Sequence, residues 1–425
     1  MRPGFWLLLL AAAAAAAPLH VRPDPAAWTT WAPRAEIMPR TFVDRIHART
    51  PAGALAISGN SNPGEYGGWV STVAGIEAGR WYRFSAFYRA QGASYERGQV
   101  LARLDWKSTS GHRAGKPDYV YAAERQGEWT RVSLETPAPE GAAGVQIQLY
   151  LVNAPAATVW WDEVVLDQIP APPPRQVVVQ AINYRPEHAA SAEDSVSQFL
   201  AQVDRLVTRA DVILLPEGIT VVSTGKTYAE VAEPVPGPTT ARLGEMARRK
   251  RAYLVAGIYE REGTTLYNTS VLLDRQGRLL GKYRKVYIPR EEMDGGLTPG
   301  SDYPVFQTDF GKVGMMICWD LQYADPARNL ALRGADLILM PIWGGNEALG
   351  KARAIENQVF LASSGYDYPT YILDPNGEVL SLARERGTAA TATIDLSRRY
   401  VDGWLGDMRE RFHKEIRLDL NTLVR

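Results

Sequence analysis

Cysteine is nearly absent: Cys318 is the one thiol in 425 residues, so no disulfide within the chain is available. Histidine is scarce too. His20, His47, His112, His188 and His413 stand far apart, which leaves no His/Cys set at zinc spacing and no histidine placed to serve a nucleophile. No sign of charge dominates, since 47 Lys and Arg balance 47 Asp and Glu. That removes the electrostatic ground for nucleic acid or an anionic membrane as main partner. After the first residues there is no long apolar run, and so no further candidate for a membrane span.

What is present begins with Arg2 ahead of the apolar run Phe5 to Ala17, with small residues around Ala15 and Ala17. A short basic region, a short apolar core and small residues at its end describe a secretory signal peptide over 1–17, the alternative being an uncleaved anchor. No cysteine lies near the cleavage region, which excludes a bacterial lipoprotein. Export makes the single thiol notable: a free thiol in an oxidising compartment is either buried and inert or put to use.

The run Pro170 to Pro174 with Ala171 is stiff and extended, and marks a linker over 169–175. The text changes character across it. From 25 to 168, short runs alternate with period two between Gly, Pro and Asn. Examples are Arg80 to Tyr88, Val100 to Trp106 and Val145 to Leu151, which predict an all-β sandwich without helices. From 176 to 425, strands and helices alternate. Gln176 to Ala181, Asp211 to Pro216, Ala252 to Ile258, Val313 to Ile317, Ala335 to Met340 and Val359 to Ser363 read as strands, and two more flank the turn Asp274 to Gly277. Ser191 to Ala210, Thr239 to Lys250, Pro326 to Arg333 and Ala348 to Gln358 read as helices, the first capped by Ser191 with Asp194. This is an α/β layered domain.

Three residues fall at or just beyond strand ends, where α/β enzymes place their reactive groups: Glu217, Lys285 and Cys318. Singly, each has an ordinary explanation as a loop carboxylate, a surface lysine or a core thiol. Together they supply what amide hydrolysis requires, namely a nucleophile, a proton shuttle and a cation for the developing oxyanion. A cation beside a thiol favours its thiolate.

The segments that carry them are Leu214-Leu215-Pro216-Glu217-Gly218, Tyr283-Arg284-Lys285-Val286-Tyr287 and Met316-Ile317-Cys318-Trp319-Asp320. In this order they resemble the three motifs of the nitrilase superfamily of carbon–nitrogen hydrolases. Tyr267-Asn268-Thr269-Ser270, Thr298-Pro299-Gly300, Arg333-Gly334-Ala335-Asp336 and Arg353 to Asn357 fit the same pattern. The resemblance implies a four-layer αββα sandwich, usually dimeric. It implies Glu217 as general base and acid, Cys318 as nucleophile forming a thioester, and Lys285 with the backbone N–H of Trp319 as oxyanion donors. It implies a second carboxylate after the lysine that positions substrate, assigned to Glu292 with Glu291 as alternative. No metal and no cofactor is implied. Asp320 stands where true nitrilases typically carry Glu, which favours an amide or N-carbamoyl substrate over a nitrile. Asp325 stands where the family commonly has Pro-Glu, and is expected to cap a helix. The competing reading is an inactive binding or scaffold protein that keeps the fold.

Gly345 to Ala352 approaches a phosphate-binding loop, but Ala352 stands where a hydroxyl would hold Mg²⁺. Asn268-Thr269-Ser270 is a glycosylation sequon for a eukaryotic secretory route. The first domain resembles carbohydrate-binding-module-like jelly rolls through Gly67 to Val70, Ala78 to Phe84, Gly127 to Val132 and Val159 to Val164. A glycan is therefore a candidate partner, with Trp69, Trp106, Trp129 and Trp160 either stacking on sugar or packing the core.

Overall fold

The computed structural model describes residues 19–20, 27–366 and 370–420. The expected signal peptide lies outside them. Among the described residues, no helix is long and apolar enough to cross a membrane.

The described residues form two compact units, one of those up to 172 together with those from 401 on, and one of those from 173 to 400. The boundary falls inside the proline run. In the first unit two antiparallel sheets face each other. One runs in the order Arg40–Asp44, Ala54–Ser58, Thr158–Ile169, Trp81–Gln91, Trp129–Pro137, Ala122–Gln126, with Leu19–His20 also on Thr158–Ile169. The other runs Thr29–Trp31, Tyr66–Ala74, Gly144–Val152, Val100–Lys107, Asp118–Tyr119. The period-two pattern has its cause here: Tyr82, Phe84, Leu104, Trp106, Ile147 and Leu149 alternate inward and are fully buried. Trp69, Trp106 and Trp160 are buried too. Their indole N–H groups donate to Ala56 O, Asp118 Oδ2 and Asp44 Oδ2. These rings pack and cannot present a face to sugar.

Two expectations are corrected. The first unit does contain helix: the single turn Glu96–Gln99, and Met408–Glu415. The second domain does not run to residue 425, because the last segment returns to the first unit. Buried Glu410 accepts from Tyr119 N at 2.7 Å, Tyr95 OH donates to Ile416 O at 2.5 Å, and Lys414 Nζ donates to Val100 O at 3.2 Å. The His413 ring lies flat on Tyr121 with centroids 4.8 Å apart. Charged and polar groups make this docking, and a hydropathy pattern reads such groups as solvent-facing.

Burial, then the charges of Arg409, Arg97 and Lys414, push the His413 pKa down to about 3. A folded value below the unfolded one means the docking is at full strength above about pH 6.5 and weakens as pH falls toward 3. Between pH 6.5 and 5 the loss is at most about 2 kcal/mol. Wild type should lose stability over that interval and a His413→Phe variant should lose less; equal losses in the two melting profiles would refute it.

In the second unit the first sheet has the order β5-β4-β3-β2-β1-β12. Its strands are β1 Gln176–Asn183, β2 Val212–Leu214, β3 Tyr253–Glu262, β4 Thr265–Leu273, β5 Leu279–Arg284 and β12 Thr388–Asp395. The second sheet runs β6 to β11 in sequence order: Val305–Gln307, Lys312–Met315, Leu337–Pro341, Phe360–Ser364, Thr370–Leu373 and Val379–Ala383. Strands β1, β2 and β3 are parallel, as are β7, β8 and β9. Helices α1 (Ala192–Leu206) and α2 (Pro238–Lys250) cover the first sheet through Phe199, Val203, Leu243 and Met246. Helices α4 (Asp325–Leu332) and α5 (Glu347–Asn357) cover the second, Leu330 sitting directly over Gly314. The sheets meet face to face, with Ser364 Oγ donating to Ile182 O and Ser270 Oγ to Met315 Sδ. This is the expected αββα order of layers. Ser191 caps α1 by accepting from Asp194 N, but α1 ends four residues early, at Leu206. Asp325 does not cap α4. It lies inside the first turn, and its carboxylate accepts from Tyr287 OH at 2.8 Å.

Candidate active site

Each of the three candidate side chains, Glu217, Lys285 and Cys318, stands just beyond a strand end. Beyond β2, Pro216 O accepts from Gly257 N and Ile219 N donates to Gly257 O, so the loop stays paired to β3. A Cβ on Gly257 would lie 2.7 Å from Glu217 Cα, which is why glycine faces this point. Tyr366 OH donates to the Glu217 carbonyl and fixes the backbone from the other sheet. Lys285 follows β5, its N–H on Asn268 O at 2.9 Å and its O taking Gly300 N at 2.7 Å. A Cβ on Gly300 would meet Arg284 O at 2.2 Å, so the Thr298-Pro299-Gly300 segment closes over the lysine only with glycine there. Glu292 lies on α3 (Arg290–Asp294).

Cys318 ends the stretch after β7 and opens a one-turn 3₁₀ helix, Cys318–Gln322, with φ of +41°. A non-glycine residue in that region stores about 1–2 kcal/mol of strain. The gain is a sharp strand-to-helix turn that lifts the thiol out of the sheet. Asp320 holds the turn. Its Oδ2 accepts from Ile317 N at 2.9 Å and Tyr283 OH at 2.7 Å, and its Oδ1 from Tyr287 N at 2.9 Å. Burial, opposed by these donors, raises the Asp320 pKa to about 6. The residue that separated the amide reading from the nitrile one is thus an anchor between the lysine and cysteine segments. Its carboxylate is fully enclosed.

The elements bring Glu217, Lys285, Glu292 and Cys318 together. Lys285 is 1% exposed, its Nζ 3.0 Å from Glu217 Oε1 and 2.6 Å from Glu292 Oε1. Asn268 Nδ2 donates to Glu217 Oε1 at 2.7 Å and reaches both Glu292 oxygens at 3.3 and 3.4 Å. Among the described residues, no N–H or O–H donates to the buried Glu217 Oε2. That oxygen is free to take a proton. The Cys318 thiol points to Gly344 O at 3.6 Å. Burial first, then the charge of Glu217, push its pKa up to about 12, against the pull of Lys285. Burial would lower the Lys285 pKa, but Glu217, Cys318 and Glu292 outweigh it and hold the ammonium above the usual lysine range. Burial raises Glu292, with Lys285 opposing.

Of the residues singled out in sequence, Glu217, Lys285, Cys318 and Glu292 converge. Glu291 is exposed on the other side of α3. Trp319 is 39% exposed beside the thiol, and its N–H belongs to the first turn, where N–H groups have no partner within the helix. The sequon is not a surface acceptor, since Asn268, Thr269 and Ser270 are all fully buried. The near phosphate loop is also otherwise engaged: Asn346 caps α5 through Ala348 N, and Lys351 pairs with Glu347 on the surface. Sequence reasoning missed Tyr366 and the Gly344 carbonyl, which no local pattern announces. It had Asn268 only as part of a matching segment.

The carbon-nitrogen hydrolase family pattern matches residues 178–402, more than half of the sequence. The chain belongs to the carbon-nitrogen hydrolase family. It is an amidase-like hydrolase of non-peptide carbon–nitrogen bonds. The hydrolase is 31% identical over 232 residues to the omega-amidase NIT2 of Xenopus tropicalis, spanning 48% of this chain and 80% of that one. It is 30% identical over 235 residues to the human omega-amidase NIT2, spanning 48% and 84%. Among solved structures, an amidase from Nesterenkonia sp. AN1 aligns at 22% identity with a TM-score of 0.46, covering 52% of this chain and 90% of that one.

Proposed function

We propose that the chain is an exported hydrolase of small amides or N-carbamoyl compounds acting through a thioester on Cys318. The observation that carries this is the buried Lys285 gripped by two carboxylates beside a thiol on a strained turn. Glu217 takes the thiol proton on Oε2 as Sγ bonds to the carbonyl carbon. Lys285 Nζ and Trp319 N–H hold the oxyanion. Glu217 then gives the proton to the departing nitrogen, and ammonia or an amine leaves. Water, deprotonated by Glu217, cleaves the thioester, releases the acid and restores the thiol. Glu292 orients the substrate nitrogen and steadies Lys285.

The omega-amidase relatives act on amides by name, which supports an amide over a nitrile. Export rests on the basic, apolar and small-residue order of 1–17. We read the first unit as a jelly-roll module that takes a glycan elsewhere than on its buried indoles, and the hydrolase unit as the seat of a homodimer.

The test is ammonia release from panels of primary amides, N-carbamoyl compounds and nitriles, run beside Cys318→Ala. Amides or ureido compounds should turn over, and the variant should lose at least about 10⁴-fold. Turnover of nitriles alone would overturn the substrate class. No turnover, with Cys318 inert to iodoacetamide, would favour the scaffold reading.

A further inference from the structure

The first unit has a cavity of about 340 Å³ lined by Arg103, Lys116, Tyr119, Trp404, Arg411 and Glu415, with Pro117, Leu405 and Asp407 at its edges. That volume suits a small ligand. One wall is the outward face of the five-stranded sheet, and the other is the returning C-terminal segment. That wall is held in place. Asp402 Oδ1 accepts from both Trp404 N and Leu405 N at 2.7 Å, which turns the chain and leaves Trp404 79% exposed. Gly406, at φ +86°, lets the hairpin press on Lys116, since a Cβ there would stand 2.9 Å from Lys116 Cβ. Lys116 Nζ sits 4.8 Å from the Trp404 ring centroid.

The charges are unequally paired. Glu415 is bound to Arg411 at 2.8 Å, and Asp407 caps the last helix through Arg409 N and Glu410 N. Arg103 and Lys116 have no carboxylate partner among the described residues. Arg103 is half-buried, held by Gln148 Oε1 at 3.0 Å and lying over the Tyr119 and Tyr150 rings. An enclosed guanidinium without a counter-ion invites a carboxylate. A broad exposed indole offers a face to the C–H side of a sugar ring. The remaining lining, hydroxyl and carboxylate, fits sugar hydroxyls.

We propose that this cavity binds an acidic sugar, a uronate whose carboxylate meets Arg103 and Lys116 while its ring lies against Trp404. This deepens the reading of the first unit as a glycan-binding module and is independent of the amidase reading. Galacturonate and its dimer, titrated into the full chain with tryptophan fluorescence and calorimetry as readouts, should bind with Kd of about 1 mM or tighter. Trp404→Ala and Lys116→Glu alter exposed side chains, and each should weaken binding at least about tenfold with an unchanged melting temperature. Raising salt should weaken the uronate as well. Equal binding of galactose would overturn the carboxylate half while leaving a neutral-glycan module standing. Equal binding of benzoate would overturn the sugar half. No binding of the uronates, or binding that both variants keep, would overturn the proposal outright.

Discussion

Changing Glu217 to Gln should cut ammonia release near pH 7 by about 10³- to 10⁴-fold, and the loss should shrink as pH rises. Burial and the charge of Glu217 push the thiol up to about 12, against the pull of Lys285, which favours the neutral thiol near pH 7. In the proposed mechanism the thiol proton passes during attack to Glu217 Oε2, which is buried. Glutamine cannot take it. Glutamine also removes two influences that raise the thiol, the negative charge and the acceptor, while Lys285 remains to lower it. The thiol of the variant therefore ionises at lower pH than that of wild type. Its rate should climb about tenfold per pH unit in the alkaline range, following the thiolate, where wild type does not. Asn268 and Lys285 still find an oxygen on glutamine, so the fold should survive. A Glu217→Gln enzyme with wild-type rate at pH 7, or with a flat alkaline profile, would remove Glu217 from the proton path.

How much of this was legible in the sequence differs by kind of interaction. The strands of the sandwich and the layers of the hydrolase unit follow from alternation and amphipathic spacing, because apolar burial drives them. The candidate residues Glu217, Lys285 and Cys318 could be singled out because three short segments occur in one order. The hydrogen bonds that make them a site could not. Asn268 bridges two carboxylates from β4, Tyr366 reaches Glu217 from the opposite sheet, and Asp320 ties two strand-end loops together. Each joins residues distant in sequence, so no local spacing records it. Asp325 was misread for a related reason: a helix-start carboxylate looks like a cap until the fold offers it Tyr287 OH. The C-terminal return was hidden because it docks through Glu410, His413 and Lys414 rather than through an apolar face.

Lys285→Met should lower activity by about 10³-fold and destabilise the hydrolase by about 3–5 kcal/mol at pH 8. The methionine fills much of the volume but leaves Glu217 and Glu292 facing each other, buried, with Asn268 as the remaining donor. Two adjoining carboxylates without a cation cannot both stay ionised cheaply. Lys285 now opposes the upward pull of burial on Glu292, and without it that carboxyl rises further. A carboxyl whose folded pKa exceeds its unfolded one is stabilising at low pH, and that contribution fades as pH rises through the folded value. The gap between variant and wild type should therefore be smallest near pH 5 and widest near pH 8. Adding Glu292→Gln removes one of the two charges, and Lys285→Met/Glu292→Gln should recover part of the melting temperature while staying inactive. That split separates the two duties proposed for the lysine, since neutralising the carboxylate pair should restore stability but supply no donor for the oxyanion. A Lys285→Met protein as stable as wild type at pH 8, or a double variant no more stable than the single, would mean that the lysine does not hold the carboxylates together.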